Sequence, residues 1–577
     1  MSGVRASIRS WVRTRDSTRS SCEDWAMTTE AIDTLKTGYT FDGATLDLGV
    51  ALDGETPAPD VPISIPLSML NRHGLVAGAT GTGKTVTLQV LAEQLSRAGV
   101  PVFASDIKGD LSGIGAPGVP SDKLTKRLEA AGQEWDPKAN PTEFYTLGDS
   151  GLGTPIRATV TSFGPILLSK VLELNDTQES VLSLVFHYAD KAGLALLDLS
   201  DLRAVLTYLT SDEGKAELEG IGGASKATVG VILRKIAELS AQGGDVFFGE
   251  PEFDTADLLR VDENGAGIVS VLELQKLSQS PALFSTFLMW LLADLFQDLP
   301  EVGDADKPSL VFFFDEAHLL FADASKAFLE SVTQTVRLIR SKGVGVFFVT
   351  QTPKDVPEDV LAQLGSRIQH QLRAHTPNDQ KALKATVQTF PKSGYDLEEL
   401  LTSLGIGEAV VTVMDPDGAP TPVAPTRMRA PESKIGPMSE DEVRAAVAAS
   451  PQQKKYGTAI DNESAREILT ARLEGGAAAK EAEDKAAGQG TAGAESGSAG
   501  AESGPQARQT RSRSPRIRHR GRSRRLPRRR RRRTSSRRSS TPPRSSSSPG
   551  LRPGRSPAAS SAPRAAAAEQ SRLSCRR

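Results

Sequence analysis

The sequence predicts an α/β fold with a mostly parallel sheet, a helical insertion and a disordered C-terminal tail. From Gly74 onward, short apolar runs alternate with helix-like segments. Runs that are apolar throughout are typical of strands covered on both faces by helices. A second observation is a glycine-rich turn between the first of these strands and the helix-like segment after it. The predicted strands are 75–77, 100–105, 267–274, 310–314, 344–350, 367–372 and 409–414.

The glycine-rich turn has the P-loop pattern G-x-x-x-x-G-K-[ST] at every fixed position. Glycines at three positions let backbone N–H groups surround phosphates, and the N-terminus of the next helix faces them. Lys84 would reach the β- and γ-phosphates, and the Thr85 hydroxyl would ligate Mg²⁺. We therefore expect a nucleoside triphosphate to bind here. The predicted binding residues are Gly78, Ala79, Thr80, Gly81, Thr82, Gly83, Lys84 and Thr85.

A second motif is the apolar run 309–314, which ends in Asp315 and Glu316. This is the Walker B form, in which one carboxylate holds Mg²⁺ and the next polarises the attacking water. GTPases usually position that water with glutamine and carry a guanine-selecting NKxD, which this sequence lacks. The pair therefore favours ATP hydrolysis, with Asp315 as metal ligand and Glu316 as catalytic base.

Two further strand ends carry polar candidates. Gln351 follows the strand 344–350 and is predicted to sense the γ-phosphate or orient water, although it could also be a turn amide before Pro353. Asp106 follows the strand 100–105 and is predicted to support Mg²⁺ or its waters, with a surface turn as the alternative.

Phosphoryl transfer also needs cations near the developing charge, often an arginine from a neighbouring subunit. Arg340 is the preferred candidate, because it ends the helix between the Walker B strand and the strand before Gln351. Any of the candidates could instead be solvated or salt-bridged. The other candidates are Arg337, Arg367 and Arg373.

Charge divides the chain into two unlike parts. Of 69 basic and 71 acidic residues, 24 arginines and one acid lie in 505–577, which leaves 45 basic and 70 acidic residues in 1–504. The acidic body argues against a broad surface that coats nucleic acid and allows only a local channel. The basic tail could neutralise phosphates, but its Arg, Ser, Pro and Ala composition is also what out-of-frame translation of a GC-rich gene produces.

Cysteine use and hydropathy restrict the class of protein. Cys22 and Cys575 are both terminal, so residues 27–504 can form no disulfide, zinc-cysteine or iron-sulfur site. No run approaches the roughly 18 uncharged apolar residues of a membrane span, and the N-terminus has no apolar signal core. We expect a cytoplasmic protein without membrane contact.

The same patterns predict seven segments. Residues 1–26 read as a disordered or mis-assigned start, and 27–70 as a short β-rich lead-in. The ATPase core is predicted in two parts, 71–168 and 246–430, separated by the helical insertion 169–245. A helical segment, 431–475, precedes the low-complexity tail 476–577.

Five sequence blocks together resemble the YjgR-like proteins, often named helicase HerA-like C-terminal domain proteins, in the HerA/FtsK branch of P-loop ATPases. The resemblance covers residues 28–475, and the block around Gln351 is its most specific part. The blocks are GATGTGKT (78–85), FASDIKGDLSG (103–113), FFFDEAH (312–318), VRLIRSKGVGVFFVTQTPKDVP (336–357) and LRAHTPNDQKAL (372–383).

The resemblance implies a RecA-like core and a homo-oligomer, by likeness to relatives that are hexameric rings moving double-stranded DNA. By position, Gln351 matches the sensor and Arg340 the relatives' trans-acting arginine. The chain has no room for the β-barrel that precedes the P-loop in HerA itself, and its Arg-rich tail differs from the family's usual ending. A protein-remodelling or secretion-type ATPase and a nucleotide-dependent switch or scaffold therefore remain alternatives, and a protein partner is unknown.

Overall fold

One large sheet organises the fold in a computed structural model that describes residues 29–148, 151–275, 281–303, 305–321 and 326–475. Segments 1–26 and 476–577, Cys22 and Cys575 therefore lie outside the described residues. Within these ranges, the strands are β1 (Thr45–Asp53), β2 (Thr56–Pro66), β3 (Gly74–Ala77), β4 (Val102–Asp106), β5 (Thr142–Leu147), β6 (Thr154–Ile156), β7 (Val269–Glu273), β8 (Leu310–Phe314), β9 (Val344–Thr350), β10 (Ser366–His370), β11 (Glu408–Thr412) and β12 (Ala424–Met428).

Helices cover the sheet. They are α1 (Thr29–Gly38), α2 (Lys84–Arg97), α3 (Asp122–Ala131), α4 (Val160–Val171), α5 (Asp176–Ala192), α6 (Leu199–Thr210), α7 (Lys215–Gly220), α8 (Lys226–Ala241), α9 (Gly244–Phe247), α10 (Pro281–Asp298), α11 (His318–Phe321), α12 (Lys326–Ile339), α13 (Glu358–Leu361), α14 (Pro377–Val387), α15 (Leu397–Ser403), α16 (Glu440–Ala449) and α17 (Pro451–Tyr456). Residues 465–475 are also helical. Among the described helices, none has the length and apolarity needed to cross a membrane.

The strand order is β2-β1-β12-β11-β10-β3-β9-β8-β4-β7-β5-β6. From β10 to β6 every neighbouring pair is parallel, whereas β2, β1, β12 and β11 extend the β10 side by antiparallel pairing. The P-loop strand β3 lies between β10 and β9, and the Walker B strand β8 lies one position further. The predicted α/β fold with a mostly parallel sheet and a RecA-like core is confirmed.

Side chains of the Walker B strand alternate between two apolar layers. Phe312 and Phe314 lie in the cluster that also contains the helical segment 160–247 and α10, whereas Val311 and Phe313 lie in the cluster that contains α2. All four are fully buried. The sheet is therefore covered on both faces, as the continuously apolar runs predict.

The segment boundaries predicted from the sequence stay predictions, but the elements in them are clear. The lead-in contributes α1 and the β1–β2 hairpin, and β1 pairs with β12 at the antiparallel side of the same sheet. The helical insertion holds α5 to α8 together with the end of α4. Residues 431–475 pack against α2 and against the helical insertion. Glu432 N–H donates to Glu93 of α2 over 3.0 Å, and Leu469 is buried in the apolar cluster that includes the insertion.

Candidate nucleotide-binding site

The P-loop lies at the carboxyl edge of the sheet, where parallel strands place their C-terminal ends. Residues 78–83 connect β3 to α2, and Gly78, Gly81 and Gly83 have φ values of 156°, 81° and 116°. At Gly78 a Cβ would lie 2.5 Å from the Cβ of His370. Only glycine can therefore occupy the first position of the loop without moving its neighbour.

Neighbouring strand ends hold the loop in place. Gly78 N–H donates to the Thr350 carbonyl over 3.2 Å, and Ala79 N–H donates to the Gln371 carbonyl over 2.8 Å. At the opposite end of the loop, Gly407 N–H donates to the Thr82 carbonyl over 2.8 Å. The phosphate cradle is thus fixed by three different segments of the chain.

Lys84 begins α2, and its side chain is directed back to the loop. Its Nζ donates to the Ala79 carbonyl over 3.3 Å, and the residue is only 5 % exposed. Burial lowers the pKa of Lys84, and the negative charge of Glu316 partly opposes this effect. Thr85 follows in the first turn of α2 and is half-buried. Both residues are placed where a bound phosphate chain would meet the helix N-terminus.

Asp315 and Glu316 follow β8 at the same edge and are both buried. Burial raises the pKa of Asp315 to about 7, although the Lys108 charge works in the opposite direction. Glu316 has a φ of 47°, in the left-handed region that few non-glycine residues adopt. Its N–H donates to Asp315 Oδ1 over 2.8 Å, which stabilises this turn. Both carboxylates lie close enough to Lys84 and Lys108 for their charges to interact.

The Glu316 carboxylate meets two basic side chains. Its Oε1 forms an ion pair with Lys108 Nζ, and His318 Nδ1 lies 3.1 Å from Oε2 without hydrogen-bond geometry. Burial alone would raise the pKa of Glu316, but the hydrogen bond and charge of Lys108 bring the pKa below its ordinary value. Glu316 is therefore held ionised, the form in which a carboxylate can accept a proton.

Gln351 is placed between the two motifs. It follows β9, which lies between β3 and β8, and its side chain is exposed. The carbonyl of the preceding residue, Thr350, accepts from Gly78 of the P-loop, and Ala317 N–H donates to the Val349 carbonyl over 2.9 Å. Gln351 thus directly follows two residues whose carbonyls contact the P-loop and the Walker B turn, the position expected of a γ-phosphate sensor.

Asp106 lies at the end of β4, but its carboxylate is already occupied. Oδ1 accepts from Gly109 N–H over 2.6 Å and Oδ2 from Leu111 N–H over 2.8 Å. The residue is 1 % exposed, and burial raises its pKa to about 6 despite these two bonds. This geometry favours the turn over a metal-ligand role, although Asp106 itself is buried rather than on the surface.

Two acidic residues that were not predicted lie beside Asp106. Asp106 pairs with Glu273 across β4 and β7, and burial, followed by the Asp106 charge, raises the pKa of Glu273 to about 8. Asp110 contributes a buried Oδ1 without a hydrogen-bond partner. Each residue ends or follows a strand, and this position could have marked it as a candidate from the sequence. Its proximity to Asp106 could not be predicted, because the pairing of β7 with β4 depends on tertiary strand order.

The edge offers oxygen donors suited to Mg²⁺. Asp110 Oδ1 is buried without a hydrogen-bond partner, and the Asp315 carboxylate interacts electrostatically with both Lys84 and Lys108. Carboxylate and hydroxyl oxygens are the ligands that Mg²⁺ prefers. Within the described ranges, no group of three His, Cys, Asp or Glu side chains is arranged to hold a metal. These residues fit a cation that phosphate oxygens also ligate.

Arg340 lies at the opposite, amino edge of the sheet. It precedes β9, whose first residue Val344 pairs with Leu310 at the start of β8. Burial lowers the pKa of His73, the residue before β3, and the positive charge of Arg340 adds to this effect. Because β9 has seven residues, the two edges are about 20 Å apart. Arg340 therefore cannot reach the P-loop of its own chain.

The other arginines occupy separate places. Arg337 is exposed on the last turn of α12, near the same amino edge. Arg367 donates to the Thr389 carbonyl over 3.2 Å, and Arg373 donates to the P-loop carbonyl of Thr80 over 3.2 Å. Of the candidates, Arg373 alone contacts the P-loop of its own chain in the described structure.

A family model described as helicase HerA-like C-terminal matches residues 53–531. The DNA double-strand break repair helicase HerA of Saccharolobus solfataricus is 23% identical over 366 residues, which are 62% of this chain and 65% of the relative. HerA of Sulfurisphaera tokodaii is 24% identical over 363 residues, 62% of this chain and 66% of the relative. The match thus covers slightly less than two thirds of the length of each of these relatives.

Solved structures of two other proteins are similar in part. The bacterial conjugative coupling protein TrwB has a TM-score of 0.46 at 17% identity, over 70% of this chain and 93% of that chain. VirB4 of Thermoanaerobacter pseudethanolicus has a TM-score of 0.42 at 15% identity, over 67% of this chain and 97% of that chain.

The resemblance inferred from the five sequence blocks is confirmed by the family match, which covers most of the chain. The matched range includes the P-loop, the Walker B pair and Gln351. The chain belongs to the helicase HerA-like C-terminal family, and its core is a P-loop ATPase core of the HerA/FtsK type.

Proposed function

We propose that this protein is an ATP-hydrolysing motor of the HerA/FtsK type that works as a homo-oligomer on double-stranded DNA. The observation that carries the proposal is the division of the site between the two sheet edges. Lys84, Asp315–Glu316 and Gln351 share the carboxyl edge, and Arg340 lies at the amino edge. A second copy of the chain would bring these two edges together.

ATP is the proposed substrate and Mg²⁺ the proposed cofactor. Residues 78–85 would surround the phosphates, with Lys84 on the β- and γ-phosphates. Thr85 and Asp315 would hold the cation, and Asp106 remains a candidate only as a support behind them. Bound Mg²⁺ would neutralise charge on the β- and γ-phosphate oxygens.

Each residue of the edge has a proposed role in hydrolysis. Glu316, held ionised, would accept a hydrogen bond from the attacking water and take its proton. Gln351 would orient the same water or contact the γ-phosphate. Arg340 of the neighbouring copy would stabilise negative charge on the transferred group. Catalysis in this scheme is mainly positioning and electrostatic stabilisation.

The oligomer is proposed to be a ring, with six subunits as the expected number. A closed ring places the amino edge of each subunit against the carboxyl edge of the next, which is a heterologous contact that closes by rotation. The proposal includes a cytoplasmic location, where ATP and DNA are both available.

DNA is proposed as the substrate of movement because the matched relatives are named as DNA repair helicases. The acidic balance of residues 1–504, 45 basic against 70 acidic residues, favours a second candidate, an ATPase that moves or remodels protein. A nucleotide-dependent switch is the weaker alternative, because Glu316 is placed as a water-activating carboxylate that a binding module does not need.

Steady-state ATP hydrolysis by the full chain, with and without double-stranded DNA, tests the proposal against a Lys84→Ala control. DNA should stimulate hydrolysis, and rising salt should suppress the stimulation because phosphate contacts release counterions. Hydrolysis that is insensitive to both DNA and salt would favour the protein-remodelling candidate. Absence of hydrolysis in the wild type would contradict both motors.

A further inference from the structure

Lys108 contacts the proposed catalytic carboxylate, although it belongs to neither the P-loop nor the Walker B motif. It lies in the turn after β4, and its Nζ forms an ion pair with Glu316 Oε1. The Lys108 side chain is 39% exposed, whereas that of Glu316 is 6% exposed. A partly solvated ammonium group thus meets a buried carboxylate at the edge where ATP is proposed to bind.

Hydrogen bonds to Asp106 hold the turn that carries Lys108. Asp106 accepts from the N–H groups of Gly109 and Leu111, one on each carboxylate oxygen. Gly109 has a φ of 79°, and a Cβ there would lie 1.5 Å from Nε2 of Gln275. These contacts hold the turn, which places Lys108 where its side chain reaches Glu316.

The ion pair uses only one oxygen of Glu316. Oε1 meets Lys108, whereas Oε2 is buried without a hydrogen-bond partner and has His318 Nδ1 3.1 Å away. Because a cation holds Oε1, the unpaired Oε2 is the oxygen left to accept a proton from water. The arrangement therefore orients the base.

Lys108 also lies close enough to Lys84 for the two charges to interact. Burial is the main reason that the pKa of Lys84 is lowered, and the Lys108 charge contributes in the same direction. The two cations nevertheless have different partners, because Lys84 contacts the P-loop carbonyl of Ala79 and Lys108 contacts the base. This separation predicts that Lys84 acts on nucleotide binding and Lys108 on turnover.

We propose that Lys108 is a positioning residue for hydrolysis, which holds Glu316 Oε1 so that Oε2 faces the attacking water. This inference rests on the proposed ATPase function. It also gives Asp106 a role in the same scheme, because Asp106 builds the turn that directs Lys108.

The test compares full-length Lys108→Met and Lys108→Arg with the wild type in kcat, KM and equilibrium binding of a fluorescent ATP analogue with Mg²⁺. Lys108→Met should lower kcat about 10- to 100-fold, because it removes one electrostatic contact of an active-site residue. The dissociation constant of the ATP analogue should change by less than about threefold. Lys108→Arg keeps the charge and should recover a large part of kcat.

Two controls separate a positioning role from a structural one. Lys36→Met removes a lysine-carboxylate ion pair of 2.7 Å with Asp60 in the lead-in, and it should leave kcat unchanged. In a Glu316→Gln background, Lys108→Met should lower the residual single-turnover rate by less than about twofold, because the residue acts through Glu316. Thermal unfolding of each variant identifies any that is misfolded. If Lys108→Met is misfolded, the kinetics of Lys108→Arg decide the test.

A Lys108→Met enzyme with kcat within about twofold of the wild type would overturn the inference and leave the proposed function intact. A dissociation constant weakened by the same factor as kcat would overturn it in favour of a direct phosphate contact. A wild-type chain without turnover would overturn the proposed function and this inference with it.

Discussion

The two edges of the central sheet differ in what they contain. The carboxyl edge gathers the P-loop, the Walker B pair, Gln351 and Lys108, all within one chain. The amino edge carries Arg340 beside a buried histidine, His73, and no strand of the parallel sheet brings that arginine to the P-loop. The chain thus supplies both halves of the proposed site but places them about 20 Å apart, so that only neighbouring copies can join them.

The largest expected effect comes from removing the amino-edge cation. Arg340→Ala should lower kcat by roughly 10³-fold or more, the low end of measured trans-arginine effects, while ATP binding stays near wild type. Steady-state kinetics and equilibrium nucleotide binding measure the two quantities. Arg337→Ala, three residues earlier and exposed, is the matched control and should change kcat much less. An equal loss of kcat in Arg340→Ala and Arg337→Ala would contradict a specific catalytic role for Arg340.

At the carboxyl edge, Glu316→Gln should lower kcat roughly 10²- to 10⁴-fold, because the amide cannot take a proton from water. Nucleotide should still bind, since the P-loop is unchanged. Lys84→Ala is the contrasting variant, and it should weaken nucleotide binding itself. Loss of binding in Glu316→Gln would instead assign that residue to the cation or the phosphates.

Asp106 tests how the carboxyl edge is built. Asp106→Ala leaves the N–H groups of Gly109 and Leu111 without their acceptor, so the free energy of unfolding should fall by about 3 kcal/mol. Urea denaturation with Mg²⁺ and with EDTA measures this loss. The same loss in both conditions supports the turn role. A defect confined to Mg²⁺-dependent nucleotide binding would support the metal-ligand prediction instead.

His73 gives the smallest effect, at the amino edge. Its Nε2 lies 2.7 Å from the Val336 carbonyl, and Val346 N–H donates to Nδ1 over 3.0 Å. Burial, with a further contribution from the Arg340 charge, lowers its pKa to about 4. The unfolded chain then binds the proton more tightly, so stability is full above about pH 6.5 and falls as the pH drops toward 4.

Unfolding midpoints in urea at pH 7.5 and pH 5 check this effect. The wild type should lose about 2 kcal/mol more than His73→Gln over that interval, because glutamine does not titrate. An equal loss in the two proteins would mean that His73 is not a neutral buried group. The comparison is independent of turnover and therefore reports on the edge alone.

Much of the core could be predicted because its signals are local. The predicted strands 310–314 and 344–350 coincide with β8 and β9, since each run is apolar at nearly every position and ends at a polar residue. Three strands were not predicted. β5 carries Thr142, Glu143 and Thr146, β6 has three residues, and β12 contains Pro425 and Arg427, so none has a continuous apolar run.

The candidate site divides in the same way. The P-loop and the Walker B pair are contiguous in sequence, and spacing alone was enough to propose them. The Lys108–Glu316 ion pair and the Asp106–Glu273 pair depend on the order β8-β4-β7, which joins segments that are distant in the chain. The carboxylate of Asp106 accepts hydrogen bonds from the turn that follows it. Sequence spacing does not distinguish an aspartate in this role from one that ligates a metal.

Mixing Glu316→Gln with Arg340→Ala subunits tests the joined edges most directly. Each variant alone should be nearly inactive, but a mixed oligomer contains interfaces at which an intact Glu316 meets an intact Arg340. ATP hydrolysis should therefore rise well above that of either variant and reach its maximum at an intermediate mixing ratio. No recovery at any ratio, with exchange of subunits confirmed by a labelled chain, would contradict a site shared between copies.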